Sequence, residues 1–158
     1  MAILTALPET SLCLDTDVFT LLRNNNNQIR TKIRAYQLVN KTFPAISAIT
    51  VFEANWGIQN ELARNKISME AAQSYQTNID NFLDSMEILP FDRKAGELAA
   101  YIFGQLSQAE KNKHWQDVMI VATSISKGFG LATRNIKDAK LIAEKLPNHE
   151  FLKVADWR

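Results

Sequence analysis

A chain of 158 residues, 46% hydrophobic and 22% charged with 5 glycines and 4 prolines, has the composition of one globular domain and excludes a collagen-like, low-complexity or largely disordered protein. A domain of this length buries roughly 70% of its unfolded surface, so it needs no disulfide framework. The net charge of +1 excludes a sequence-wide electrostatic pull on phosphate.

The chain opens Met-Ala-Ile-Leu but reaches Pro8 and Glu9 before a signal-peptide apolar core can form, and no stretch approaches the roughly 18 apolar residues of a membrane span. A cytoplasmic protein with no membrane contact is expected. Ser11–Leu14 is a short, mostly apolar run that ends in Asp15-Thr16-Asp17, after which Val18, Phe19, Leu21 and Leu22 return at helical spacing. This reads as strand, acidic turn, helix. The single cysteine, Cys13, lies inside that strand as a small buried hydrophobe and points to a reducing compartment.

Asn24–Asn27 breaks the first helix, and a second, from about Gln28 to Asn40, buries Ile29, Ile33, Tyr36 and Leu38. Pro44–Ile49 is a second strand feeding a helix through Val51, Ala54, Ile58 and Leu62. Ser68 caps a helix through Tyr75, Ile79 and Phe82, and Glu87–Phe91 is a third strand that Pro90 ends. Helices follow at about Lys94–Ala109 and Trp115–Lys127, the latter stopped by Gly128. Gly130–Thr133 is a strand, Ile136–Leu146 a helix, and Phe151–Val154 a last short strand. Such alternation predicts an α/β fold, a single domain over residues 1–158 with a mostly parallel central sheet of about five short strands and helices on both faces. In open sheets of this type ligands sit beyond the carboxyl ends of the strands.

Three acidic residues occupy such places. Asp15 follows the first strand, Glu53 lies in the first turn of the helix after the second, and Asp117 lies in the first turn of the helix rich in Val118, Ile120, Val121 and Ala122. Each also has a plainer explanation. Asp15 or Asp17 can cap a helix, Glu53 stands three residues after Thr50 in the spacing of a capping box, and Asp117 near a helix start is favoured by the helix dipole. Carboxylates gathered in one crevice repel one another unless a cation neutralises them, and Mg²⁺ or Mn²⁺ suits such oxygens. His114, His149 and Cys13 offer no zinc spacing. Residues 111–158 are the basic part, with nine Lys/Arg against five Asp/Glu. Lys113, Lys127, Arg134 and Lys137 there are candidates for holding a nucleic-acid backbone, or are simply solvated.

The segments LCLDTDVFTLLR (Leu12–Arg23), ISAITVFEANWGI (Ile46–Ile58), WQDVMIVATSISKGFGLATRNIKDA (Trp115–Ala139) and LKVADW (Leu152–Trp157), in that order, resemble the PIN-domain ribonucleases. More narrowly, they resemble the VapC-like toxins of bacterial and archaeal toxin–antitoxin pairs. The resemblance spans nearly the whole chain and implies a PIN-like fold in which Asp15, Glu53 and Asp117 are the first three acidic positions of a Mg²⁺- or Mn²⁺-dependent site. At the fourth position some members carry Asp where this chain has Asn135, so Asn135 or Asp138 completes the site, or three carboxylates suffice. Thr133 is a candidate for binding a metal-bound water or phosphate. The resemblance further implies an RNA substrate cut to leave a 5′-phosphate, an antitoxin partner that blocks the site, and a homodimer. Phe19, Trp56 and Phe103 are candidates for those contacts, with burial in the core as the alternative reading.

Two rival functions remain open at this point. Asp15-x-Asp17 after an apolar strand also suits an aspartyl-phosphate phosphatase of the haloacid dehalogenase type, with Asp15 as nucleophile and Asp17 as general acid. Against it, Thr20 stands one place beyond the small residue that such a site expects, and paired acidic residues late in the chain are missing. The other rival is a PIN fold that binds RNA or a partner without cutting.

Overall fold

Each short apolar run of the sequence becomes a strand in the structure, a computed structural model that describes residues 2–158. The chain runs β1 (Ile3–Thr5), β2 (Leu12–Leu14), α1 (Thr16–Arg23), α2 (Asn27–Asn40), β3 (Ala45–Ser47), α3 (Ala48–Ala63), α4 (Met69–Leu83) and β4 (Ile88–Leu89). It continues through α5 (Arg93–Phe103), α6 (Gln108–Ser126), β5 (Gly130–Thr133), α7 (Ile136–Ala143) and β6 (Leu152–Asp156). Among the described residues the strands form one six-stranded sheet of order β1-β6-β5-β2-β3-β4, in which every pairing is parallel. The sheet is thus one strand wider than the sequence predicts. The extra strand, β1, is three residues long at an edge, pairs with β6 alone and is only partly covered, and its apolar pair Ile3-Leu4 is too short to mark a strand.

The central strands β2 and β5 are buried throughout, as strands covered on both faces must be. One face carries Phe19, Leu22, Ile29, Ile33, Ile58 and Ile79 from α1 to α4. The other carries Ile102, Val118, Val121, Ile142 and Leu146 from α5, α6 and the α7 region. Cys13 is fully buried between β3 and β5, and burial pushes its thiol up to about 12, so it behaves as the apolar filler that its neighbours suggest.

Several boundaries move. Helix α5 stops at Phe103, and α6 starts at Gln108 rather than Trp115, because Ser107 caps it by accepting from the Glu110 amide at 3.2 Å. Its first turns, Gln108–Lys113, are polar and hide the helix from any apolar period. Gly128 follows α6 at φ +76°, the left-handed conformation that ends a helix. Leu38 points to solvent rather than into the core, because α2 buries only Ile29, Ile33 and Tyr36. Phe19 is fully buried, so it offers no partner contact; Trp56 is exposed and stacks on exposed Phe52, while Phe103 is partly covered. Among the described residues no helix is long and apolar enough to cross a membrane.

Chain direction reverses between β2 and β5. From β2 the chain moves outward to β3 and β4, and from β5 it moves the other way to β6. Helices leaving the carboxyl ends of these two neighbours therefore diverge and leave a crevice between them, the place where doubly wound sheets put their ligands.

Candidate active site

The crevice, of about 260 Å³, is lined by Asp15, Thr16, Asp17, Glu53, Asp117, Thr133, Asn135 and Asp138 over a floor of Ile120, Val121, Leu131, Ala139 and Ile142. The structure thus brings Asp15, Glu53 and Asp117 to one crevice and adds all three candidates for the fourth position.

Asp15 leaves the end of β2 and caps α1, its Oδ1 accepting from the Val18 amide at 2.8 Å. The capping role open in the sequence is realised, and the same carboxylate lines the crevice. Glu53 and Asp117 correct the plainer readings. Helix α3 begins at Ala48 with Ser47 as its cap, so Glu53 lies in the second turn and no Thr50–Glu53 capping box forms. Asp117 sits in the middle of α6, about 13 Å along the axis from its first residue, where the helix dipole has little hold on it.

Glu53 is held by a chain of hydroxyls that the sequence did not single out. Thr16 donates to Glu53 Oε1 at 2.7 Å. Having one hydrogen, Thr16 must then accept from Thr50, 3.0 Å away, and Thr50 in turn accepts from Ser47 at 3.4 Å. Ser47 and Thr50 are fully buried, so the relay is anchored in the core and aims the carboxylate at the crevice. On the β5 side, buried Thr133 accepts from the Asn135 amide at 3.0 Å. Asn135 caps α7, accepting from the Asp138 amide at 3.1 Å and donating to Asp138 Oδ2 at 2.5 Å.

The basic candidates divide. Arg134 and Lys137 are exposed and flank Asn135, and Lys113 is exposed on α6 beside His114. Lys127 pairs with Asp92 at the far end of α6, about 15 Å along the axis from Asp117, and stands apart from the crevice.

Five carboxyl groups line the crevice, and among the described residues no Lys or Arg does. Burial pushes Asp15 up to about 6; the Val18 amide and the Thr133 hydroxyl pull it back in part, while Asp17 and Asp117 push it further. Glu53 is raised by desolvation, against the Thr16 hydrogen bond, with Asp117 adding to the rise. Asp117 has a half-exposed side chain, yet the crevice wall removes enough water to raise it, and Asp138 raises it further against the pull of His114. Such a set of oxygen donors, short of positive charge, fits a hard divalent cation.

This electrostatic strain has a measurable sign. A carboxyl whose folded pKa lies above its unfolded value favours folding fully below the unfolded value and loses that contribution as pH rises to the folded one. Unfolding followed in EDTA is therefore expected to show stability falling between pH 3.8 and about 6 from Asp15, with Glu53 and Asp117 acting in the same direction. Asp92 and Asp156, held low by Lys127 and Arg158, act oppositely, but their effect is largely complete below this window. A flat or rising curve there would show that the crevice carboxylates are not strained.

The molecule is thus a doubly wound α/β protein with an acidic crevice at the point where its topology reverses. Residues 12–145 match the model of the PIN domain, and the chain belongs to the PIN-domain family. Comparison with curated protein sequences gives no match. Among solved structures, a chain of VapBC2 from Rickettsia felis, bound to a DNA fragment from its promoter, shares 22% identity with a TM-score of 0.66, over 93% of this chain and 98% of that one. DNA-bound VapBC from Salmonella typhimurium gives 21% identity and a TM-score of 0.64, over 94% and 99% of the two chains. FitAcB from Neisseria gonorrhoeae gives 20% and 0.65, over 92% and 97%. At these identities the likeness is one of fold.

Proposed function

We propose that the chain is a divalent-metal-dependent endoribonuclease, the toxin of a toxin–antitoxin pair. The observation that carries this reading is the convergence of Asp15, Glu53, Asp117 and Asp138 on one crevice that no Lys or Arg lines among the described residues. Asp15, Glu53 and Asp117 hold Mg²⁺ or Mn²⁺, with Asp138, fixed by Asn135, completing the set in place of Asn135 itself. A divalent ion held there polarises a phosphoryl oxygen and lowers the pKa of bound water.

The chain's own groups do the remaining work. Glu53, aimed by the Ser47–Thr50–Thr16 relay, keeps its second carboxylate oxygen free of that hydrogen bond to orient the attacking water. Thr133 lines the crevice, where its hydroxyl accepts from the Asn135 amide and gives its one hydrogen either to Asp15 or, in its place, to a phosphate oxygen. Exposed Lys113, Arg134 and Lys137 hold the RNA backbone at the mouth. The product carries a 5′-phosphate.

Structures of VapBC, one of them named as a member of a family of toxin-antitoxin systems, supply the fold likeness, and on that ground an antitoxin is the partner proposed to cover this crevice. A homodimer and a cytoplasmic setting belong to the same proposal through the family resemblance of the sequence alone. Family membership speaks against the phosphatase reading.

The test is cleavage of a structured RNA pool by the purified chain. Cutting is expected with Mg²⁺ or Mn²⁺, loss of cutting with EDTA, and recovery on adding excess metal. RNA left intact under all metal conditions would favour a PIN module that binds without cutting.

A further inference from the structure

One turn before Asp117 on α6 stands His114, on the same helix face by the three-residue spacing. The residue is 3% exposed, and its Nδ1 is buried without a hydrogen-bond partner. That nitrogen faces two carboxylates, at 3.9 Å from Asp117 Oδ2 and 3.8 Å from Asp138 Oδ2. Both separations are too long for a hydrogen bond. A buried ring nitrogen left without a partner is costly, and one serving only the packing would be expected to meet a carbonyl or hydroxyl. Here it is aimed between two crevice acids, one of which is itself pinned by Asn135. Among the described residues, His114, Asp117 and Asp138 form the one group of three ligand-type side chains whose donor atoms all lie within 4.8 Å of one another. Asp15 and Glu53 line the same crevice outside that tight group.

We propose that His114 Nδ1 is a nitrogen ligand which, with Asp117 and Asp138, tunes the centre toward a divalent transition-metal ion such as Mn²⁺ and away from Mg²⁺. The inference rests on the reading that the crevice holds a divalent ion. Bonds of about 2.0–2.2 Å place neighbouring donors roughly 3 Å apart, so the observed N–O separations of 3.9 and 3.8 Å lie within about 1 Å of those of adjacent ligands, a closure that small side-chain rotations supply. Mg²⁺ takes oxygen ligands and holds its waters, whereas an imidazole nitrogen adds affinity for ions further along the transition series. The ring binds through Nδ1 in its neutral form, with the proton on Nε2. The sequence could have offered the i, i+3 pair His114–Asp117, but the missing hydrogen bond and the approach of Asp138 from α7 exist only in the folded chain.

Electron-spin-echo modulation of the Mn²⁺-loaded full chain tests this directly. The expected result is a nitrogen coupling typical of a bound imidazole, which changes when the protein is grown with ¹⁵N-histidine. The second histidine, His149, has an 80% exposed side chain beside Glu150 and does not line the crevice, so the label reports on His114. His114→Gln is expected to abolish the coupling and lower Mn²⁺ affinity on the order of tenfold, with Mg²⁺ affinity little changed. Should that variant fail to fold, the labelled parent protein decides alone. Mn²⁺ bound without nitrogen coupling, or Mn²⁺ affinity unchanged in folded His114→Gln, overturns the His114 ligand while leaving the carboxylate centre standing. Failure of both Mn²⁺ and Mg²⁺ to bind overturns the two readings together.

Discussion

Asp15→Asn is expected to abolish metal-dependent RNA cleavage while making the metal-free protein more stable at neutral pH. Two observations combine in this result. As the cap of α1, Asp15 accepts from the Val18 amide, and Asn serves an N-cap as well as Asp does, so the helix keeps its start. As a crevice acid raised to about 6 by burial, it opposes folding when charged; removing that charge is worth up to about 3 kcal/mol near pH 7. The loss of activity should reach the order of 10²–10³-fold or more, the cost of deleting a group that stabilises developing charge. Asp15→Ala separates the roles, since it gives up the cap as well, at about 1 kcal/mol. Asp117→Asn should lose activity equally and leave the fold intact, because mid-helix Asp117 caps nothing. Cleavage assays paired with urea melts in EDTA read both quantities. Parent-rate cleavage by either Asn variant would remove that residue from the centre.

Phe19→Ala should cost about 3–5 kcal/mol, enough to lower the melting temperature by about 10 °C in a chain of this size. Phe19 is 0% exposed, meets Phe82 of α4 edge to face at 6.2 Å, and lies under the Arg23 guanidinium at 5.3 Å. Truncation therefore opens a cavity where α1 joins α4. Phe19 sits one turn from Asp15 on α1, so the same helix carries this contact and one wall of the crevice. Thermal melts with and without Mn²⁺ measure the loss, and a cost below about 1 kcal/mol would mean the site collapses around the gap.

What the sequence makes legible follows from short-range physics. Leu12–Leu14 running into Asp15, and Gly130–Thr133 running into Asn135, are apolar runs cut off by polar turns, so strands, their ends and the acids beyond them can be read together. Beginnings of elements are harder. The polar stretch Gln108–Lys113 hides two turns of α6 and makes Asp117 look like a helix-start residue. β1 is too short to show a pattern and exists because β6 offers it an edge. The hydroxyl relay is legible only in part: Ser47, Thr50 and Glu53 share a helix start, but Thr16 reaches them from a segment more than thirty residues earlier in the chain. The same holds for Asp138 meeting His114 across two helices.

The place of β2 between β3 and β5 bears on synthesis. A nascent chain that has emerged only as far as β4 can assemble β2, β3 and β4, yet one edge of β2 stays bare until β5 arrives more than a hundred residues after it. Thr133, Asn135 and Asp138 come with or after that strand. On the ribosome the crevice therefore stays unfinished while β2, β3 and β4 are already out, and it closes only when β5 and α7 follow.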